Sequence, residues 1–238
     1  MSSVFRFKEF EVIQDQTAMK IGTDSVLLGA WAQIEHDPKS ILDIGAGTGV
    51  IALQLAQRST AELIDAVELD TGAFENCVTN FENSPWNDRL FCYHASLQEF
   101  ADELDDVYDL ITANPPYFEA QTKINDSSRA KARFTDSLSY QDLLKAVKQL
   151  LSDHGIFSVI IPFQNEAEFI KIAHQHQLTP TDILHVKGRS NTPYKRSLVN
   201  FSCKPTKPTE VSELIIEHER HNYTKDYINL TKDFYLKL

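Results

Sequence analysis

From Ser40 onward the chain alternates short unbroken apolar runs with stretches whose apolar positions recur every three or four residues. The segments 40–47 (SILDIGAG), 62–70 (ELIDAVELD), 89–97 (RLFCYHASL), 108–114 (YDLITAN), 155–162 (GIFSVIIP), 181–187 (TDILHVK) and 197–203 (SLVNFSC) are predicted strands. Helices are predicted over 50–59, 72–83, 140–153 and 165–177. Runs of β-branched residues without polar alternation point to strands covered on both faces. The tail, from Glu213, predicts one more strand and a final helix. Before Ser40, residues 5–13 alternate like a hairpin, and Thr23 or Asp24 is a plausible N-cap for a helix over 25–33.

Strand–helix alternation of this kind implies right-handed crossovers on a doubly wound sheet. The expected fold is therefore α/β and Rossmann-like, with a mostly parallel seven-stranded sheet. The closely spaced strands 181–187 and 197–203 suggest an antiparallel edge pair. Residues 1–39 are too few to hold a core of their own, so they are expected to form an extension packed on a single domain spanning 40–238.

Composition narrows this picture modestly. A hydrophobic content of 42% with 24% charged residues suits a globular chain of 238 residues. No apolar run approaches the length of a membrane span, and the N-terminus lacks the apolar stretch of a signal peptide. The cysteines, Cys77, Cys92 and Cys203, are odd in number and form no CxxC pair. They read as reduced thiols of a cytoplasmic protein. A net charge of −11 argues against a polyanionic partner in bulk. Its distribution does not, because the local field steers a polyanion. Six carboxylates lie between Glu99 and Asp109, whereas 187–209 carries Lys187, Arg189, Lys195, Arg196, Lys204 and Lys207 and no acid. A second basic stretch holds Lys123, Arg129, Lys131 and Arg133 against Asp126.

Candidate chemistry begins where the first strand of the alternating series ends, in DIGAGTG with Asp43, Gly45, Gly47 and Gly49. Glycines there permit a tight strand-to-helix turn and a close approach of ligand to backbone. An acid two residues before the first glycine is awkward beside a pyrophosphate. It suits a ligand with a free ammonium group and no phosphate, such as S-adenosylmethionine. Glu68, roughly 20 residues beyond that turn, lies where such folds set a carboxylate on ribose hydroxyls. Asp70 reads as the cap of the next helix.

The strand 108–114 then stops on Asn114-Pro115-Pro116-Tyr117. Neither proline can extend a sheet ladder, so the backbone leaves the strand stiffly with free carbonyls. The Asn114 amide oxygen and the Pro115 carbonyl form a pair of acceptors suited to a planar NH₂ group. Accepting both of its protons pulls the nitrogen toward tetrahedral geometry and stabilises the charge that develops as it attacks. Tyr117 offers a ring face for a flat substrate.

Together, D-x-G-x-G-x-G and N-P-P-Y resemble the class I S-adenosylmethionine-dependent N-methyltransferases acting on amide or exocyclic amines. With AMKIGTDSVLLGAWA, LDIGAGTG, DAVELD and SPW included, nearly the whole chain resembles the bacterial tRNA(Val) adenine-N6 methyltransferases. That resemblance implies methyl transfer to the adenine 3′ of the anticodon in a valine tRNA. Asn114, Pro115, Pro116 and Tyr117 match the catalytic motif. Asp43, Gly45, Gly47, Gly49 and Glu68 match the cofactor motifs, and Lys20 lies in the segment such enzymes fold over the cofactor's methionine end. Ser96 stands where the family usually places an Asp that meets the cofactor's adenine amine, and Glu99 is a possible substitute. RNA contacts are expected from Arg129, Lys131 and Arg133 after the catalytic motif, and from Lys187, Arg189, Lys195 and Arg196. The histidine pairs lack the acid or cysteine that would complete a metal site, so no metal is expected. Methylation of a protein glutamine, of DNA or another RNA adenine, or a non-catalytic RNA-binding role remain open alternatives at this point.

Overall fold

The computed structural model describes residues 3–17, 20–116 and 138–237. A short hairpin opens the chain, β1 (Val4–Arg6) against β2 (Glu11–Ile13), followed by helix α1 (Thr23–Trp31). Then come β3 (Ser40–Ile44), α2 (Val50–Arg58), β4 (Leu63–Glu68), α3 (Thr71–Glu82), β5 (Leu90–His94), α4 (Leu97–Glu103) and β6 (Tyr108–Ala113). From residue 138 onward, α5 (Tyr140–Leu150), β7 (Leu151–Pro162), α6 (Glu166–Gln175), β8 (Thr179–Lys187) and β9 (Arg196–Ser202) complete the central layer. The tail supplies β10 (Glu210–Ile215), a small hairpin of β11 (Glu217–Glu219) and β12 (Asn222–Tyr223), and α7 (Lys225–Thr231).

The main sheet has eight strands in the order β10-β8-β9-β7-β6-β3-β4-β5. The chain steps outward from β3 to β4 to β5, then returns to place β6 on the other side of β3. Ligand crevices form at such reversals, beyond the carboxyl ends of the strands. The parallel register Ile44↔Ala113 therefore brings the turn after β3 next to Asn114. Strand β9 is antiparallel to both β7 and β8, as the spacing of the last two strands suggested. The tail strand β10 adds parallel to β8, so the antiparallel pair lies one strand in from the edge and the sheet has eight strands, one beyond the seven of the main series.

Side chains leave the sheet alternately into two apolar layers. One gathers Ile41, Ile64 and Leu110 with α1, α2 and α7; the other gathers Leu42, Ile111 and Val159 with α4, α5 and α6. The N-terminal hairpin joins the first layer through Phe7, Phe10 and Val12, all at or below 5% exposure.

Three local readings change. The run 89–97 stops as a strand at His94, and Ser96 caps a helix, α4, that the apolar pattern did not single out. A parallel return from β5 to β6 requires such a crossover. Helix α5 ends at Leu150 rather than 153, because Leu151 pairs with Tyr108 and a register shift before Leu110↔Ile156 absorbs the extra residues. The N-cap of α1 is Gly22, without a side-chain bond, which leaves Asp24 in the first turn free to pair elsewhere.

Candidate functional site

A cleft of about 870 Å³ opens along the carboxyl ends of β3, β4, β5 and β6. Its floor is the turn after β3. Gly45, Gly47 and Gly49 all have positive φ, at 66°, 58° and 78°. The Gly45 and Ala46 N–H groups donate to the Val67 carbonyl at 2.9 and 3.2 Å, fixing the turn against β4. A Cβ at Gly45 or Gly47 would meet no heavy atom within 4 Å, since both face the open cleft. Gly49 serves differently: as N-cap of α2, it would drive a Cβ to 2.5 Å from the Phe81 ring and 2.8 Å from the Cys77 Sγ.

Glu68 ends β4 and lines the cleft. Its Oε2 accepts from the Gly47 N–H and its Oε1 from the Asp70 N–H, both at 2.8 Å. The carboxylate is thus aimed by main chain, with lone pairs to spare for hydroxyl donors. Asp70 caps α3 through the Ala73 N–H at 2.9 Å.

Asp43 does not line the cleft. Its register partner across β3 and β6 is Thr112, and both point into the layer beneath α2. The Thr112 hydroxyl donates to Asp43 Oδ1 at 2.9 Å. Complete burial pushes the Asp43 carboxyl up to about 7, against the opposing pull of Thr112 and the Ala52 N–H. Asp43 therefore presents no surface to the cleft, and its Oδ2 has no hydrogen-bond partner among the described residues.

On the far side, Asn114 leaves β6 half-buried, with Pro115 buried behind it and Pro116 exposed along the cleft. The Asn114 Nδ2 donates to Ser25 Oγ at 3.4 Å, so the amide nitrogen is turned toward α1 and Oδ1 is left for a donor. Tyr117 lies outside the described residues, as do Arg129, Lys131 and Arg133.

Ser96 lines the cleft, but its side chain is committed. Its hydroxyl donates to Glu99 Oε2 at 2.7 Å and accepts from the Glu99 N–H, while that carboxylate also accepts from the Ser96 N–H. The Ser96 hydroxyl holds the Glu99 carboxyl below its ordinary range. Glu99, offered above as a substitute acceptor, is absent from the cleft lining. The S-x-x-E spacing of a capping box was visible in the sequence and would have revealed both commitments. Lys20 is exposed and also outside the lining; among the described residues near it, Thr17 reaches the cleft.

Asn80 was missed by sequence reading. Its amide accepts from the Ile13 N–H at 2.7 Å and donates to the Ile13 and Thr48 carbonyls, at 3.0 and 2.9 Å. One buried side chain thereby ties the N-terminal hairpin, α3 and the glycine turn together. The signal was two amides, Asn76 and Asn80, at helical spacing on an otherwise apolar face with Ala73, Cys77 and Phe81.

The described lining includes the carboxylates Glu68, Asp70 and Asp142 and no lysine, arginine or histidine. That field disfavours a phosphate-bearing ligand and favours a cationic one. The basic residues of 187–196 stand along the same edge of the sheet, because Arg196 opposes Pro162 at the carboxyl end of β7. Most are already paired. Lys187 Nζ lies 2.9 Å from Glu213, Arg189 Nη2 lies 3.0 Å from Glu217, and Arg196 Nε lies 2.8 Å from Asp24. Lys195 is exposed.

Comparison with known proteins settles the family. The methyltransferase small domain family matches residues 17–170. A tRNA1(Val) (adenine(37)-N6)-methyltransferase from Flavobacterium johnsoniae is 54% identical over 235 residues, covering 99% of this chain and 100% of that protein. One from Parabacteroides distasonis is 43% identical, covering 98% of each. The chain belongs to this methyltransferase family. Solved structures at low identity agree on the fold. A predicted O-methyltransferase from Agrobacterium tumefaciens superposes with a TM-score of 0.69 at 19% identity, covering 89% of this chain and 96% of that one. TYW2 from M. jannaschii, in complex with AdoMet, gives 0.57 at 14% identity, with 84% of each chain covered. Within the family frame, the glycine turn, Glu68 and Asn114 occupy one cleft. No helix among the described residues is long and apolar enough to cross a membrane.

Proposed function

We propose that the chain transfers a methyl group from S-adenosylmethionine to N6 of adenine 37 in a valine tRNA, in the cytoplasm, releasing S-adenosylhomocysteine. The observation that carries this reading is the juxtaposition of Asn114 with a glycine cleft whose described lining is acidic and holds no cationic side chain. The cofactor fits the residues present. Gly45 and Gly47 leave open space where any side chain would intrude, and Glu68 offers main-chain-aimed lone pairs to ribose hydroxyls. When bound, the cofactor supplies an electrophilic methyl on a cationic sulfur.

The chain's own part is positioning and charge stabilisation. With its nitrogen turned to Ser25, Asn114 presents Oδ1 to one amine proton, and the Pro115 carbonyl takes the other. As the amine nitrogen attacks, positive charge grows on it and both acceptors bind it more strongly than in the ground state. One of those two protons then leaves to solvent and the other stays on the methylated nitrogen; no strong base is needed at the site, because the cationic methylated amine is far more acidic than an alkylammonium. Adenine must leave its stack to reach this depth. The names of the relatives support tRNA and the position, and Lys187, Arg189, Lys195 and Arg196 along the same rim support a phosphate-bearing substrate. Arg129, Lys131 and Arg133, and Tyr117 as a stacking ring, belong to the same proposal on sequence grounds.

The test is methyl transfer from labelled S-adenosylmethionine to total tRNA lacking its own modification, followed by nucleoside analysis. The expected product is N6-methyladenosine at position 37 of one valine tRNA. Label on a protein amide, or on another RNA alone, would overturn the substrate assignment.

A further inference from the structure

The cofactor's base must meet the end of the cleft formed by the start of α4, if the reading above is right. Apolar surface is available there for the faces of a purine, from Leu69, Leu97, Leu138 and Pro116. The base edge is the open question, because the Ser96 hydroxyl at the expected position has its proton committed to Glu99 and can offer a base no donor. Ser96 and Glu99 satisfy one another in the capping box. Gln98 is different. It lines the cleft, is exposed, and its carboxamide makes no hydrogen bond to any described residue.

We propose that Gln98 reads the hydrogen-bonding edge of the cofactor's purine and is a specificity-determining residue for the cofactor. A carboxamide carries an acceptor and a donor side by side. Its oxygen can accept from the adenine N6 amine while its NH₂ donates to a ring nitrogen, the pairing by which glutamine reads adenine elsewhere. A carboxylate at this place could only accept. The difference has a consequence. A carboxamide can turn over and present the reversed pair, which matches a 6-oxopurine; a carboxylate would face the 6-oxo group with no proton to offer. This chain therefore tolerates a deaminated cofactor base better than an enzyme with an acid on the base edge. The neighbouring acid, Asp142 on α5, accepts from the Ser139 hydroxyl at 2.5 Å and lines the same cleft, so it is the rival acceptor.

The experiment is calorimetric binding of S-adenosylhomocysteine and of its deaminated analogue, with hypoxanthine replacing adenine. It uses the wild type and the Gln98→Leu, Gln98→Glu and Asp142→Asn variants, each checked by thermal melting. Gln98 is exposed, so these changes leave the core untouched. The wild type is expected to bind the two ligands within about tenfold of each other, one hydrogen bond being worth about that factor. Gln98→Leu should weaken both by about five- to tenfold. Gln98→Glu should keep S-adenosylhomocysteine and lose the deaminated ligand, widening the ratio beyond about tenfold. Unchanged binding of both ligands by Gln98→Leu overturns the proposal. So does loss of S-adenosylhomocysteine in Asp142→Asn but not in Gln98→Leu, which would move the acceptor to α5. Failure of the wild type to bind S-adenosylhomocysteine at all would instead overturn the cofactor assignment on which this inference rests, and so separates the two.

Discussion

Glu68 and Glu213 are both carboxylates near the carboxyl edge of the sheet, and they are held in opposite ways. Glu68 accepts from two backbone N–H groups, Gly47 and Asp70, whose positions the turn and the cap of α3 already fix. Glu213 accepts from the Tyr194 hydroxyl at 2.7 Å and faces Lys187 Nζ at 2.9 Å, and these bonds hold its carboxyl below the ordinary range. Main-chain donors cannot swing away, whereas a half-exposed ion pair exchanges with water, salt or phosphate at little cost. The cofactor side of the cleft is therefore pre-formed, and the basic rim is a set of cations held by replaceable partners.

Disabling the shared centre should have the largest effect. Asn114→Ala is expected to lower the methylation rate about 100- to 1000-fold, the scale of losing one transition-state acceptor. Binding of S-adenosylhomocysteine, measured by calorimetry, should stay within a few-fold. A rate unchanged by this substitution would remove the mechanism.

The pre-formed side can be broken in two distinguishable ways. Gly49→Ala forces a β-carbon onto Phe81 and Cys77 at positive φ, and should cost about 3 kcal/mol of stability. Gly47→Ala places its methyl in open space at positive φ, so it should cost only about 1–2 kcal/mol of backbone strain, less than Gly49→Ala, while weakening the cofactor by about ten- to a hundredfold. Denaturant titration and ligand calorimetry on both variants separate fold from site.

Asp43 gives this side a pH signature. Its carboxyl lies at about 7 when folded, well above an unfolded aspartate, so the native state binds more protons between those values. Stability should then fall as pH rises from about 4 to 7 and level off above, with a contribution of up to about 4 kcal/mol from this group. Asp43→Asn should flatten that slope in urea titrations at stepped pH; an unchanged slope would mean the carboxyl is not the source.

The smallest effects belong to the rim. Glu213→Gln frees Lys187 from its ion pair and should tighten tRNA binding by about two- to fivefold at low salt, steepening its salt dependence. Lys187→Ala should change affinity less than Lys195→Ala, because Lys187 enters the encounter already neutralised.

The same contrast explains what could be read from the sequence. Glycines, prolines and a lone acid at a strand end are backbone instructions, and backbone instructions are local, so the turn, Glu68 and Asn114 were placed correctly in one crevice. Partnerships between distant side chains carry no local mark. Nothing near Arg196 announces Asp24, which lies 172 positions away, and nothing in 187–196 announces Glu213 or Glu217. Asp43 was located, but the sequence shows only that it precedes a glycine and not that Thr112 stands beside it on the inner face. The Ser96 cap escaped for a different reason: its signal was present, and α4 went unread because a seven-residue helix presents too little apolar period to stand out.

One contact bears on how the molecule is made. The hairpin that Asn80 ties to the glycine turn is also bonded to the last helix's exit, through the Lys8 N–H to the Phe234 carbonyl at 2.9 Å and a bridge between Phe7 and Tyr235. Ribosomes polymerise about 5–20 residues per second, so Phe7 and Lys8 wait about 10 to 50 seconds for these partners. Until they arrive, the hairpin lacks its bond and bridge to Phe234 and Tyr235, and Phe5, Phe7 and Phe10 remain partly uncovered. Maturation of the cleft thus waits on a partner made much later, and the unpartnered hairpin is where a holding chaperone would be needed most.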